Sequence, residues 1–146
     1  MDKVYISSPY MGNEAVNLEK ARWYSRFAAE QGVIPITPHI YFTQFLRDSV
    51  PEERDMAMRM NKQLLMECRE IWVFQGYGVS PGMQQEIRWA NEAGMPIRYF
   101  DERLVEVSNG GIKEKEDMVS VEEGKAPWQY DQGAKIHNRQ KHGCHI

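Results

Sequence analysis

A chain of 146 residues, 42% hydrophobic and 27% charged, is long enough for one compact domain and too short for two ordinary ones, with the composition of a globular protein. Its formal net charge of −3 gives no electrostatic footprint for a nucleic-acid duplex or an anionic membrane surface. No apolar run approaches the length that crosses a bilayer, so neither duplex nor membrane is an expected partner.

The chain opens "MDKVYISSPY", a charged pair running into a strand, with no apolar signal-peptide core. Its two cysteines, Cys68 and Cys144, suggest no disulfide framework, and a reducing cytoplasm is the expected location. Residues 4–7 form a β-rich run stopped by Ser8-Pro9. Residues 13–31 are helical in pattern: Leu18, Ala21, Tyr24 and Ala28 recur on one face, and Gly32 closes the helix. Trp23, Tyr24 and Phe27 on this helix read as core or subunit-contact aromatics rather than a base-stacking platform.

A second strand spans 33–37, and its internal Pro35 argues for an edge position because proline cannot donate to a ladder. "IYFTQFLRDSV" then reads as loop. Ser49-Val50-Pro51-Glu52 reads as a capping box opening a helix that runs to about Cys68, with Ala57, Met60, Leu64 and Cys68 turned inward. Residues 71–74 are apolar throughout, as a central parallel strand is. A helix over 83–93 ends at Gly94, a strand follows over 96–100, and a short element sits around 104–107.

This alternation predicts a single doubly wound, flavodoxin- or Rossmann-like α/β domain over residues 1–105. Its parallel sheet would have four to five strands with helices on both faces. Residues 106–146 lose the periodicity and read as a charged, Gly-containing tail, partly ordered or dependent on a partner. In such sheets ligands bind beyond the carboxyl ends of the strands, where strand order reverses. Three segments would meet there: "SSPYMGN", "TPHIYF" and "QGYGVSPGMQQE".

The third of these carries Glu86, placed by the expected helix start in the first turn. There unsatisfied N–H groups and the helix dipole would keep a carboxylate ionised, as a nucleophile or cation stabiliser. The same position also suits a carboxylate that only complements the dipole. The Ser80 hydroxyl and the turn at Gly82 would hold a phosphate or sugar hydroxyl, or simply form the turn. Ser7, Ser8 and the Gly12 amide have the same two readings, anion or ribose contact against an ordinary strand-to-helix turn. His39 would stack on or hydrogen-bond a base, or be a structural loop histidine. His137, His142, Cys144 and His145 are metal-ligand types but lack the paired spacing of a structural site, so no metal is expected. Trp128 and Tyr130 would pack the tail onto the domain or a partner.

"VYISSPYMGN", "ITPH" and "VFQGYGVSPGMQQEIRWANEAGMPI" together resemble the nucleoside 2-deoxyribosyltransferase superfamily, which includes the deoxynucleoside 5′-monophosphate N-glycosidases. The resemblance covers about residues 3–100 and is strongest to a bacterial and phage branch of unassigned activity. Its most specific part is Ser80-x-Gly82-x-x-x-Glu86. It implies that Glu86 attacks C1′ of a (deoxy)nucleoside or nucleoside 5′-monophosphate, displacing the base to water or to a second base. No cofactor is implied. Tyr5 would orient the glutamate, Thr37-Pro38-His39 would border the base pocket, and a neighbouring subunit would complete it in a homo-oligomer. Two positions depart from the family: no arginine follows the first strand at Ser8-Pro9-Tyr10, and Asn61 stands where an aspartate assists the leaving base. An amide can hydrogen-bond a base but cannot protonate it; Asp55 is a weaker substitute. The alternative implied by Asn61 is a non-catalytic nucleotide- or nucleotide-sugar-binding module, a sensor or phage accessory protein. A scaffold whose tail recruits a partner is the third reading.

Overall fold

The structure, a computed structural model, describes residues 1–108. Five strands, β1 (Lys3–Ser7), β2 (Ile34–Ile36), β3 (Glu70–Phe74), β4 (Ile97–Phe100) and β5 (Glu106–Val107), form one sheet in the order β2-β1-β3-β4-β5. The first four are parallel and β5 returns antiparallel to β4. Pro35 pairs opposite Val4 on the edge strand β2, as expected of a residue without an N–H. The sheet runs to Val107, in the short element expected around 104–107.

Helices α1 (Glu14–Glu30), α2 (Pro38–Phe42), α3 (Pro51–Met66) and α4 (Pro81–Glu92) complete the α/β fold. Alternation along the strands divides the core in two. Val4 and Ile6 of β1 join Trp72, Phe74 and Phe100 against Tyr24 and Ala28 of α1, with Trp23 and Phe27 packed alongside. Tyr5 of β1, Ile71 and Val73 of β3 pack on the other face against Leu65 of α3 and Met83 and Ala90 of α4. The α1 aromatics are therefore core residues. Among the described residues no helix is long and apolar enough to cross a membrane.

Two local expectations fail and a third holds only in part, each for a physical reason. Residues 38–42 are a helix, α2, not a loop. Pro38 sits at its first position, where a fixed φ and a missing N–H suit a helix start. The Ser49 capping box does not form: Val50 is the N-cap of α3 and no side chain caps it. Pro51 at the first helical position forces the residue before it into extended backbone, φ −98 and ψ 114, so Val50 takes the cap position and Ser49 falls outside. The inward stripe of α3 carries Asn61 and Leu65; of the four residues expected there, Cys68 joins the core just past the helix end and Leu64 packs against it, while Ala57 and Met60 are only half-buried. A polar side chain occupies the middle of that stripe because one end of it faces a cleft rather than the core.

Candidate active site

Parallel crossovers start every helix at the carboxyl edge of the sheet, and the strand order reverses between β1 and β3. A cleft of about 120 Å³ opens at that edge, large enough for an organic molecule and not merely a water or two. Ser8, His39, Asn61, Ser80, Gly82 and Glu86 all line it.

Glu86 is the centre of the site. It is 4% exposed, yet it lines the cleft. The Tyr5 hydroxyl donates to its Oε2 and the Ser7 hydroxyl to its Oε1, each at 2.7 Å. Both donors come from β1, two residues apart and so on one face of the sheet, which lets one strand hold both carboxylate oxygens. The expectation of a first-turn, fully ionised glutamate is overturned. Helix α4 starts at Pro81, not at residue 83, so Glu86 lies in its second turn, beyond the reach of the unsatisfied N–H groups. Burial raises its pKa to about 7, against the lowering effect of the Ser7 and Tyr5 hydrogen bonds. Tyr5, buried beside this carboxylate, is raised well above its ordinary value, first by burial and then by Glu86, so it stays a donor.

The remaining expected residues divide. Ser7 is fully buried behind Glu86 and is not among the cleft residues, so it serves the carboxylate rather than a ligand. Ser8 lines the cleft at 1% exposure with its Oγ unpartnered among the described residues, and Asn61 does so at 6% with its Oδ1 unpartnered. Unpaired buried oxygens destabilise a fold unless something fills their valence, and at these two positions the open cleft gives a donor, water included, access to them. Ser80 caps α4, its Oγ accepting from the Met83 N–H at 3.2 Å. Gly82 lines the cleft in the same turn. Gly12, exposed and at φ 108, does not line the cleft; Tyr10 and Met11 before it do. Asp55 is exposed and not among the cleft residues.

His39 is in α2 and faces inward to a specific partner. Its Nε2 lies 2.9 Å from the Ser8 carbonyl, which can only accept, so Nε2 carries the proton. Its ring stacks on Tyr10 at 5.3 Å between centroids. Burial lowers its pKa while the Ser8 bond opposes, so the ring is neutral at pH 7. That geometry braces the turn after β1 rather than freeing the ring to stack on a base.

The sequence reading missed one wall. Arg47, Asp48, Glu53, Arg54 and Ala57 also line the cleft. Arg54, Ala57 and Asn61 stand at i, i+3 and i+7, one face of α3, and that spacing alone links Arg54 to Asn61. Among the described residues there is no cluster of three or more His, Cys, Asp or Glu fit for a metal ion. The tail residues His137, His142, Cys144, His145, Trp128 and Tyr130 lie outside the described residues.

A buried carboxylate under the carboxyl edge of a mostly parallel five-stranded sheet is set here on the fold of the 2-deoxyribosyltransferases. The chain is similar to the 2-deoxyribosyltransferase from Bacillus psychrosaccharolyticus, with a TM-score of 0.59 at 16% identity, covering 82% of this chain and 92% of that one. It is also similar to the 2-desoxiribosyltransferase from Leishmania mexicana, with a TM-score of 0.50 at 15% identity, covering 77% and 81%. Identity this low carries the architecture alone. The chain itself belongs to the family described as "Domain of unknown function (DUF7768)", whose model matches residues 2–100. No curated protein sequence matches it.

Proposed function

We propose that this protein cleaves or exchanges the N-glycosidic bond of a (deoxy)nucleoside or nucleoside 5′-monophosphate, with Glu86 as the nucleophile. The observation that carries the reading is a buried glutamate, both oxygens held at 2.7 Å by Tyr5 and Ser7, that lines the cleft. An ionised Glu86 oxygen attacks C1′ and the C1′–N bond breaks, its electron pair leaving with the base, which takes up a proton. The glycosyl ester is then opened at C1′ by water, or by a second base in a transfer, and the carboxylate returns. Tyr5 and Ser7 hold the attacking group in one orientation and replace the water it loses on burial. Ser8 and Asn61 add polar contacts from the cleft wall.

Base release from a panel of nucleosides and nucleotides, followed by chromatography, tests the proposal. Glu86→Gln is expected to lower the rate by at least about 10³-fold. Because the nucleophile must be ionised and its pKa is about 7, kcat/KM falls as pH drops below that value. Tyr5→Phe removes a donor that favours the anion and moves this limb to higher pH. No base released by the wild type, or an equally active Glu86→Gln, overturns the proposal.

Asn61 favours a second reading: its amide cannot protonate a leaving base, which suits a module that binds a nucleotide or nucleotide-sugar without turning it over. Thermal stabilisation by ligand without product marks that outcome. An assembly of identical subunits belongs to the proposal as well. Tyr41 and Phe45, 62% and 56% exposed beside the cleft-lining Phe42, are apolar surface that such an assembly would cover.

A further inference from the structure

We propose that His39 is a positioning residue of the cleft: by donating from Nε2 to the Ser8 carbonyl it holds the Ser8 hydroxyl on the cleft wall, without itself touching the ligand. This deepens the proposed function and rests on it, since the occupant of the cleft is taken to be a nucleoside or nucleotide. It differs from the role that the family resemblance implies, in which this histidine borders the base.

Ser8 stands where the sheet stops holding the chain. The ladder between β1 and β3 ends with Ser7 opposite Val73, one residue short of Ser8. Pro9 keeps its predecessor extended but leaves ψ a range of about 40°. Among the described residues no backbone N–H reaches the Ser8 carbonyl, whereas the His39 Nε2 does, at 2.9 Å. Rotation about the Ser8 N–Cα bond, one of the two soft dihedrals of the residue, carries the carbonyl and Cβ together. Pinning one therefore pins the other. The hydroxyl on that Cβ belongs to a residue 1% exposed, has no partner among the described residues and stands on the cleft wall.

The imidazole comes from a fixed mount. His39 is the second residue of α2, and the start of α2 is tied to α1 through two hydroxyls. Ser25 Oγ gives its only proton to the Ala21 carbonyl at 2.7 Å, so in its 2.7 Å contact with Thr37 it accepts and Thr37 donates. One turn on, the Thr43 hydroxyl donates to the His39 carbonyl. The ring stacks on Tyr10, whose carbonyl accepts from Asn17 Nδ2 at 2.8 Å, with the Met11 carbonyl at 3.2 Å from the same nitrogen. Asn17 thus holds the far end of the turn after β1, and His39 the near end.

Glu86 lies outside this set of contacts. Its donors, Tyr5 and Ser7, belong to β1 and keep their places through the ladder. Loss of the His39 donor therefore weakens ligand binding and leaves the carboxylate as it is. A neutral ring suits the task, because burial disfavours its charged form and Nε2 keeps its proton for Ser8.

Calorimetric titration of the full chain carrying Glu86→Gln, which stops turnover, tests the role, with nucleosides and nucleoside 5′-monophosphates of the common bases as probes. His39→Phe keeps a ring and removes the donor, whereas His39→Gln removes the ring and keeps an amide donor near the same place. For the tightest probe, His39→Phe and Ser8→Ala are each expected to weaken binding about three- to tenfold, the worth of one hydrogen bond. Together they should weaken it no more than the larger single loss, because both act on one hydroxyl. His39→Gln should bind more tightly than His39→Phe. Losses that multiply in the double variant are what a residue that only supports the fold would give, and they overturn the role. So does a single variant, His39→Phe or Ser8→Ala, that binds like its parent, a His39→Gln no better than His39→Phe, or no binding by any probe. The two proposals fail separately. Coupled losses with no base released by wild type sink catalysis and keep the role, whereas base release that His39→Phe leaves unchanged does the reverse.

Discussion

At pH 7 the Glu86 carboxyl stands near half-protonation, with a pKa of about 7 imposed by burial. An ordinary glutamate would be almost wholly ionised there. The protein therefore carries a destabilising anion in its interior, tempered by two hydroxyl donors, and this has a consequence independent of any substrate. A group whose folded-state pKa is raised contributes its stability below the unfolded value of 4.5 and loses it as pH climbs through about 7. Glu86→Gln, which keeps the shape without the charge and needs one of the two hydroxyls to turn and accept, should match the wild type near the lower pH. Above pH 7 it should become more stable, by up to about 3 kcal/mol for a shift of this size. Urea unfolding of both proteins across that range checks it, and a gap that does not widen with pH would mean that the carboxylate is better solvated than its burial implies. The family resemblance at Ser80-x-Gly82-x-x-x-Glu86 singles this residue out, but the sequence pattern starts the helix at residue 83 instead of Pro81 and so implies the wrong charge state. Two residues of error at a helix boundary moved a carboxylate from a dipole-stabilised turn to one where desolvation wins.

The proline-led starts of α3 and α4 teach the same lesson for whole elements. In both, proline occupies the first helical position and forces its predecessor into the cap. At α4 that predecessor is Ser80, whose Oγ receives the Met83 N–H; at α3 it is Val50, and Ser49 is one residue too early. Ser80→Ala should therefore destabilise by about 1 kcal/mol and Ser49→Ala by less than about 0.5 kcal/mol, measured by chemical denaturation. Equal effects would remove the capping account. Strands and long helices were legible because alternation and 3.6-residue spacing repeat over enough residues to be read. Helix α2, five residues long, offers too short a period, and so His39 was read as a loop residue. The Arg54 wall was missed for a different reason: on an isolated helix an arginine three residues before an alanine reads as solvent-facing, and only the packing of α3 beside α4 turns that face into a cleft.

Across the whole molecule, both faces of the sheet are closed by residues within the first 108. Val4, Ile6, Phe74 and Phe100 are sealed by α1, and Ile71, Val73 and Leu65 by the α3–α4 side. The antiparallel β5 finishes the sheet beside β4, where Glu106 accepts from the Arg98 Nε at 3.0 Å and Nη2 at 2.8 Å. The family match likewise ends at residue 100, before the charged tail begins. A folding unit needs its own core rather than its full chain length. The chain ended after residue 108 is therefore expected to unfold in one cooperative transition, within about 1 kcal/mol of the full-length protein. Ending it after residue 105 instead removes β5 and the doubly bonded Arg98–Glu106 pair, and should lower stability relative to the 108-residue form. Circular dichroism through a thermal ramp separates the cases. Loss of the cooperative transition at 108 would show that the tail completes the domain, and would move the boundary of the folded unit toward the carboxyl end.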